Sequence, residues 1–222
     1  MGALLKKDFL TSRYIYTVIT LIVVAVMVVM VKINPIGALV IATLGSVLIP
    51  VIVNKFTATE EIRKNYDMVM NSFPVKRNDV VFSKYMYYLI LHFLTGIILQ
   101  SIVILSNRGD SSVLLAVLIA QCVAFLYYIL LIGLPNFIYY RFDYEIAAKY
   151  SMIITFVVVY TPMILMGIID RINPNIRRGI LEYISAGKID SFMLVGALFA
   201  IGILLYIIII AASAMGYRRR DL

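Results

Sequence analysis

Residues 14–31 read YIYTVITLIVVAVMVVMV and residues 33–54 read INPIGALVIATLGSVLIPVIVN, with Lys32 the one charge between Tyr14 and Asn54. A helix that crosses a bilayer needs about 20 mostly apolar residues without charge. Two such runs joined only by Lys32-Ile33-Asn34-Pro35 read as a transmembrane hairpin. Working outward, further uncharged runs extend over Tyr85–Asn107, Ser111–Tyr140, Tyr150–Ile169 and Ser191–Tyr217. The run from Ser111 is 30 residues long, more than one span needs, and Pro135 is expected to end its membrane part near Gly133. The runs are continuously apolar, whereas a barrel strand alternates apolar and polar residues over about ten positions. In lipid the backbone must pair internally, which leaves helices. The expected fold is therefore all-α: a polytopic membrane protein, one transmembrane domain over 1–222. Its six spans lie at approximately 14–31, 35–54, 85–106, 112–133, 150–169 and 191–215.

Composition agrees. Hydrophobic residues make up 63% of the 222 and charged residues 14%, with a mean hydropathy of +0.98. A soluble domain has roughly 45–50% apolar and about 25% charged residues. Disorder needs the opposite bias. One cysteine excludes a disulfide framework and a multi-thiolate metal site. The first run exceeds a usual signal core and ends Val28-Val29-Met30-Val31-Lys32, without a small-x-small cleavage pattern, so it is read as retained. The start lacks Ser or Thr at position 6, so the myristoylation pattern fails.

With six spans both termini share a side. That side holds Lys6, Lys7, Arg13, Lys55, Arg63, Lys64, Lys76, Arg77, Lys84, Arg141, Lys149 and Arg218–Arg220, fourteen of the 20 basic residues. Basic residues are retained in the cytoplasm, so both termini and the loops 55–84 and 135–149 are expected there. Anchoring against anionic lipid accounts for the net charge of +8 without a nucleic-acid partner. The setting is a cell membrane, crossed several times, of bacterial type.

The loop 55–84 is the largest polar piece, too short for a domain. Thr57 or Thr59 is placed to cap a helix whose first turn carries Glu60 and Glu61. Pro74 interrupts the segment, and a second short helix starts near Asn78-Asp79. The loop is either a solvated connector or a docking element. The second loop mixes aromatics with both charge signs from Tyr139 to Glu145, which suits a membrane belt or a protein contact. On the other side, 170–190 carries Ile176, Ile180, Leu181 and Ile184 at helical spacing. This reads as an interfacial helix or a lid.

No P-loop, His-x-x-x-His, Cys-x-x-Cys or Gly-x-Ser-x-Gly pattern occurs, so no catalytic residue, metal ligand or cofactor site is assigned. No Asp, Glu, Lys or Arg falls within a span, which disfavours an ion-coupled carrier. His92, the one histidine, either relays protons or is satisfied by a neighbouring helix. Cys122 reads as a small core residue. Ala38, Ala42 and Ser46, then Gly196 and Ala200, then Ala212 and Gly216, repeat at four-residue spacing that lets helices approach closely. Pro50 and Pro162 are candidate kinks.

The segment Asn71-Ser72-Phe73-Pro74-Val75-Lys76-Arg77, then Val80-Val81 and Ser83-Lys84-Tyr85, resembles small ABC-2 type permeases. In that family a Leu-Pro-Val-Ser-Arg stretch is followed by Ser-Lys-Tyr at the third span. Phe73 stands for the usual Leu, Lys76 for Ser, and Asp143 for an expected Gly. Leu134-Pro135, Arg141-Phe142-Asp143-Tyr144-Glu145 and Leu5-Lys6-Lys7-Asp8-Phe9 are similar too. The resemblance implies an elbow helix before the first span, dimeric membrane units and a separate cytosolic ATPase subunit that carries ATP and Mg. It implies coupling helices at Glu60–Met70 and Arg141–Ala147, with Ser72–Arg77 the bend after the first. The ATPase-coupling residues carried over are Glu60, Glu61, Arg63, Tyr66, Asp67, Pro74, Arg77, Arg141, Phe142, Tyr144 and Glu145. Within the family the chain looks most like permeases that export phenol-soluble modulins, amphipathic cytolytic peptides. The implied partners are the ATPase, a second permease subunit (identical or not), lipid and peptide cargo. Competing readings are a self-protection permease for antimicrobial peptides or drugs, and a pore-forming or structural membrane subunit.

Overall fold

The computed structural model describes residues 2–63, 76–107, 111–142, 144–172 and 191–219, and every regular element among them is helical. The helices are α1 (Gly2–Ile33), α2 (Pro35–Arg63), α3 (Arg77–Ser106), α4 (Ser111–Tyr128), α5 (Leu134–Arg141), α6 (Tyr144–Ile172) and α7 (Ser191–Arg218). A π turn over Ile129–Gly133 joins α4 to α5 without a break. Among the described residues, five segments are long and apolar enough to cross a membrane: Gly2–Ile33, Ile36–Glu61, Arg77–Ser106, Val113–Arg141 and Met193–Arg218. Within α6 a shorter apolar stretch, Ile146–Thr161, follows.

The first hairpin is as short as the sequence predicts. Asn34 alone separates α1 from α2. Its side-chain oxygen accepts the Gly37 N–H at 3.0 Å, while Pro35 takes the first helical position, where no N–H is needed. The central pair is α2 and α3, with α1 against both; α7 packs on α3, α4 and α5, and α6 on α5 and the π turn. Close approach is bought with small residues. A Cβ on Gly45 would stand 2.7 Å from Leu99 and 3.3 Å from Val23, and one on Gly202 would stand 2.8 Å from Phe125. Ala38, Ala42 and Ser46 are fully buried, as their spacing suggests. Gly196 instead meets nothing within 4 Å, and Gly216 packs on Arg141.

The burial pattern is that of a lipid-embedded bundle. On α1 the buried residues include Asp8, Ser12, Tyr16 and Thr20, one polar stripe at four-residue spacing. Val18, Leu21, Ile22 and Val29 of the same helix face outward. In lipid, helices gain little by hiding Leu or Val from one another, so packing and polar contacts fill the interior.

The polar interior continues at mid-depth. Pro50 lacks an N–H, so the Ser46 carbonyl one turn earlier loses its helical donor. His92 Nδ1 lies 2.9 Å from that carbonyl and donates to it. Its Nε2 then accepts from Gln121 Nε2 at 3.2 Å, and Gln121 Oε1 accepts from Gln100 Nε2 at 2.7 Å. Gly96 makes room for the Gln121 amide, 2.7 Å from where a Cβ would sit. His92 is thus satisfied by α2 and α4, the second of its two readings. Cys122 is buried, as expected of a core residue.

Several expectations are corrected. No separate elbow helix precedes the first span: α1 is continuous from Gly2 to Ile33, because residues 2–13 present the same polar stripe to α2 and α3. The helix of the fourth run does not stop at Pro135. The π turn, with Leu134 N–H reaching the Ile129 carbonyl, lets the helix pass through the proline to Arg141. Thr57 and Thr59 cap nothing. They lie inside α2, with hydroxyls donating to the Val53 and Lys55 carbonyls one turn back. The two described ends of the segment 55–84 belong to long helices: α2 runs to Arg63 and α3 starts at Arg77, so Asn78-Asp79 lies in the first turn of a 30-residue helix rather than a short one. Of the outer segment 170–190, Asp170–Ile172 close α6 and the interfacial helix expected beyond lies outside the described residues.

Candidate functional site

One end of the bundle gathers the start of α1, the end of α2, the start of α3, the α5–α6 junction and the end of α7. Four charged side chains tie its first half together. Lys84 Nζ lies 2.5 Å from a Glu61 carboxylate oxygen and 3.2 Å from Asp8, and Lys7 Nζ lies 2.9 Å from each of the same two acids. Asp8 is 2% exposed and Lys84 10% at the side chain, so these are desolvated pairs rather than surface ones. Each cation faces both anions, which offsets the cost of burying charge. One turn deeper, Ser12 and Tyr87 share a hydroxyl hydrogen bond between α1 and α3, and Thr57 and Tyr88 share one between α2 and α3.

The second half is tied by tyrosines. Tyr85 OH donates to the Gly133 carbonyl in the π turn at 3.0 Å and lies 2.8 Å from Ser213 Oγ on α7. Tyr206 OH donates to the Tyr85 carbonyl at 2.6 Å, and Tyr128 OH lies 3.2 Å from Tyr206 OH. Outside this core, Arg77 reaches the Tyr217 and Arg218 carbonyls at 3.4 Å, and Arg218 Nε donates to Asn78 Oδ1 at 2.7 Å. The end of α7 is therefore held against the start of α3 by cations at its negative pole. Gly216 lets α7 touch α5: a Cβ there would stand 3.2 Å from Arg141 Cα.

Residues 3–218 match the family described as ABC-2 family transporter protein. The chain belongs to the ABC-2 transporter family. It is a multi-pass membrane permease subunit of an ABC transporter, a family that works with an ABC ATPase subunit. No curated protein and no solved structure matches it.

The expected coupling residues of the permease fall into four groups. Glu60 and Glu61 close α2, half-buried, and Glu61 points into the ion cluster. Arg77, Arg141 and Phe142 stand on the same end, with Arg141 between the rings of Phe137 and Phe142 at 5.9 and 5.7 Å. Arg63, Tyr144 and Glu145 are placed by backbone only, at the end of α2 and the start of α6. Lys64, Tyr66, Asp67 and Pro74, and Asp143, lie outside the described residues. Residues of both loops, Lys55, Glu61 and Lys84 of 55–84 and Pro135, Asn136 and Ala147 of 135–149, line one cavity. Lys7, Asp8, Lys84 and Tyr85 were not among the expected site residues. The signal for all four was present, since Leu5-Lys6-Lys7-Asp8-Phe9 and Ser83-Lys84-Tyr85 are both family-like stretches. Lys84 reaches the α1–α2 side and Tyr85 the α4–α7 side.

Proposed function

We propose that this permease is an exporter half whose inner face is the charged end, carrying amphipathic or hydrophobic peptides of the phenol-soluble-modulin kind outward. A separate ATPase drives it, and a second permease subunit completes the path. Both termini lie in the cytoplasm, the chain crosses six times, and α6 is the remaining crossing. The observation that carries this reading is the convergence of 55–61 and 135–152 at an end stiffened by ion pairs and tyrosines. A push delivered there reaches α1, α2 and α3 through the Lys84–Glu61–Asp8–Lys7 contacts. It reaches α4 and α7 through Tyr85. Glu60, Arg77, Arg141 and Phe142 are the residues we assign to ATPase contact, and Glu61 acts behind them as a positioning residue. Arg63, Tyr66, Asp67, Pro74, Tyr144 and Glu145 belong to the same surface in this proposal. Uncharged spans with outward apolar faces suit a cargo whose own apolar side already prefers lipid.

Charge reversal at Glu60 and Arg141, assayed with the purified partner ATPase, tests the coupling. Loss of co-purification and of ATPase stimulation, with the permease still folded, is the expected result. Undiminished binding and stimulation would remove these residues from the interface. Cargo is tested separately, by uptake of a labelled amphipathic helix into inverted vesicles. Antimicrobial-peptide or drug transport without uptake of that helix would favour the self-protection alternative.

A further inference from the structure

A cavity of about 270 Å³ opens at the charged end between α2 and α6, floored by α3 and α5. Its polar lining includes Lys55, Glu61, Lys84 and Asn136, and its apolar walls include Pro135, Ala147 and Met152. Lys7, Lys84, Asp8 and Glu61 balance one another within the cluster, so Lys55 sets the sign of the cavity as positive. Asn136 accepts from Asn54 Nδ2 at 3.3 Å, but its own amide nitrogen is buried and meets no acceptor among the described residues. A buried donor without a partner is costly in a native interior and marks a place where something else accepts. The mouth is formed by exposed residues, Lys55 on α2 and Met152 on α6, the latter 76% exposed. Beyond Met152 the face of α6 stays apolar and outward through Phe156.

We infer that this cavity binds the phosphate headgroup of an anionic phospholipid, with its acyl chains along the outer face of α6. In this proposal one phosphate oxygen accepts from Lys55 Nζ, and the Asn136 amide, buried behind the cavity wall, turns toward the headgroup to donate to the other. A charged donor at the water edge and a neutral one inside match a diester entering sideways from the bilayer. The apolar walls favour a lipid over free phosphate, and a choline headgroup would bring a second cation against Lys55. The inference rests on the protein's membrane location and not on ATPase coupling, so each reading stands or falls alone.

The test uses the full chain, delipidated in detergent without the ATPase. It is titrated with short-chain phosphatidylglycerol, phosphatidylcholine or inorganic phosphate and followed by native mass spectrometry. Phosphatidylglycerol should bind about tenfold tighter than phosphatidylcholine, and Lys55→Gln or Asn136→Leu should each erase most of that preference. Lys6→Gln, an exposed control elsewhere, should leave it unchanged. Lys55 is exposed, so its variant keeps the test valid should Asn136→Leu fail to fold. Equal binding of the two lipids, or a preference untouched by Lys55→Gln, overturns the proposal. Displacement of the lipid by inorganic phosphate at a similar concentration also overturns it and assigns the cavity to a soluble anion.

Discussion

Lys84 and Tyr85 are neighbours on α3, yet they hold opposite halves of the charged end by different chemistry. Lys84 binds α1 and α2 through two carboxylates, in a cluster that balances two cations against two anions. Tyr85 binds α5, α7 and the π turn through neutral hydroxyls and ring contacts, edge-on to Tyr206 at 5.8 Å and tilted against Tyr140 at 6.3 Å. Breaking a buried ion pair strands a charge, whereas breaking a hydroxyl contact strands only a dipole. The first half should therefore fail steeply on single substitutions and the second gradually.

That contrast can be broken experimentally, using the reaction of buried Cys122 with a thiol dye on heating, in a protein that has no tryptophan to follow. Lys84→Ala leaves Asp8 and Glu61 with Lys7 as their one shared cation, two buried anions on one cation, and should cost about 3–5 kcal/mol. Joint replacement of Lys84 by Met and Asp8 by Asn, which leaves Lys7 paired with Glu61, should recover part of that loss. No recovery would mean that the ammonium stem packs more than it pairs. Tyr85→Phe keeps the ring but strips a donor from the Gly133 carbonyl, with an expected loss of about 1–3 kcal/mol. A loss equal to that of Lys84→Ala would erase the distinction between the halves. Gln121→Leu, at mid-depth, removes the donor to His92 and should cost about 0.6–1.7 kcal/mol, the range for interhelical hydrogen bonds in membranes. Lys6→Gln, exposed beside the cluster but outside it, should change the unfolding midpoint by no more than about 0.5 kcal/mol equivalent.

The sequence carried the site unevenly. Glu61 was legible as an acidic residue near a helix end, but not as the partner of Lys7 and Lys84, which lie 54 and 23 residues away. His92 has no partner in its own stretch because its acceptor is the carbonyl that Pro50 frees on another helix. A proline ordinarily ends a helix, yet the helix passes through Pro135 by way of the π turn, around whose Gly133 Tyr85 and α7 pack. Thr57 and Thr59 look like caps by residue type, yet their hydroxyls back-bond within a helix that continues past them.

Length of apolar run, absence of charge and the Asn34-Pro35 break were enough to establish membrane-crossing helices and the first tight hairpin. Those properties depend on transfer from water to lipid and on backbone pairing, both local to each segment. Which acid meets which base, which carbonyl receives His92, and where a cavity opens between α2 and α6 depend on rotation and register between helices. Uniform apolar surfaces leave that choice nearly undetermined, and it is decided only when a few glycines and buried polar side chains lock the bundle.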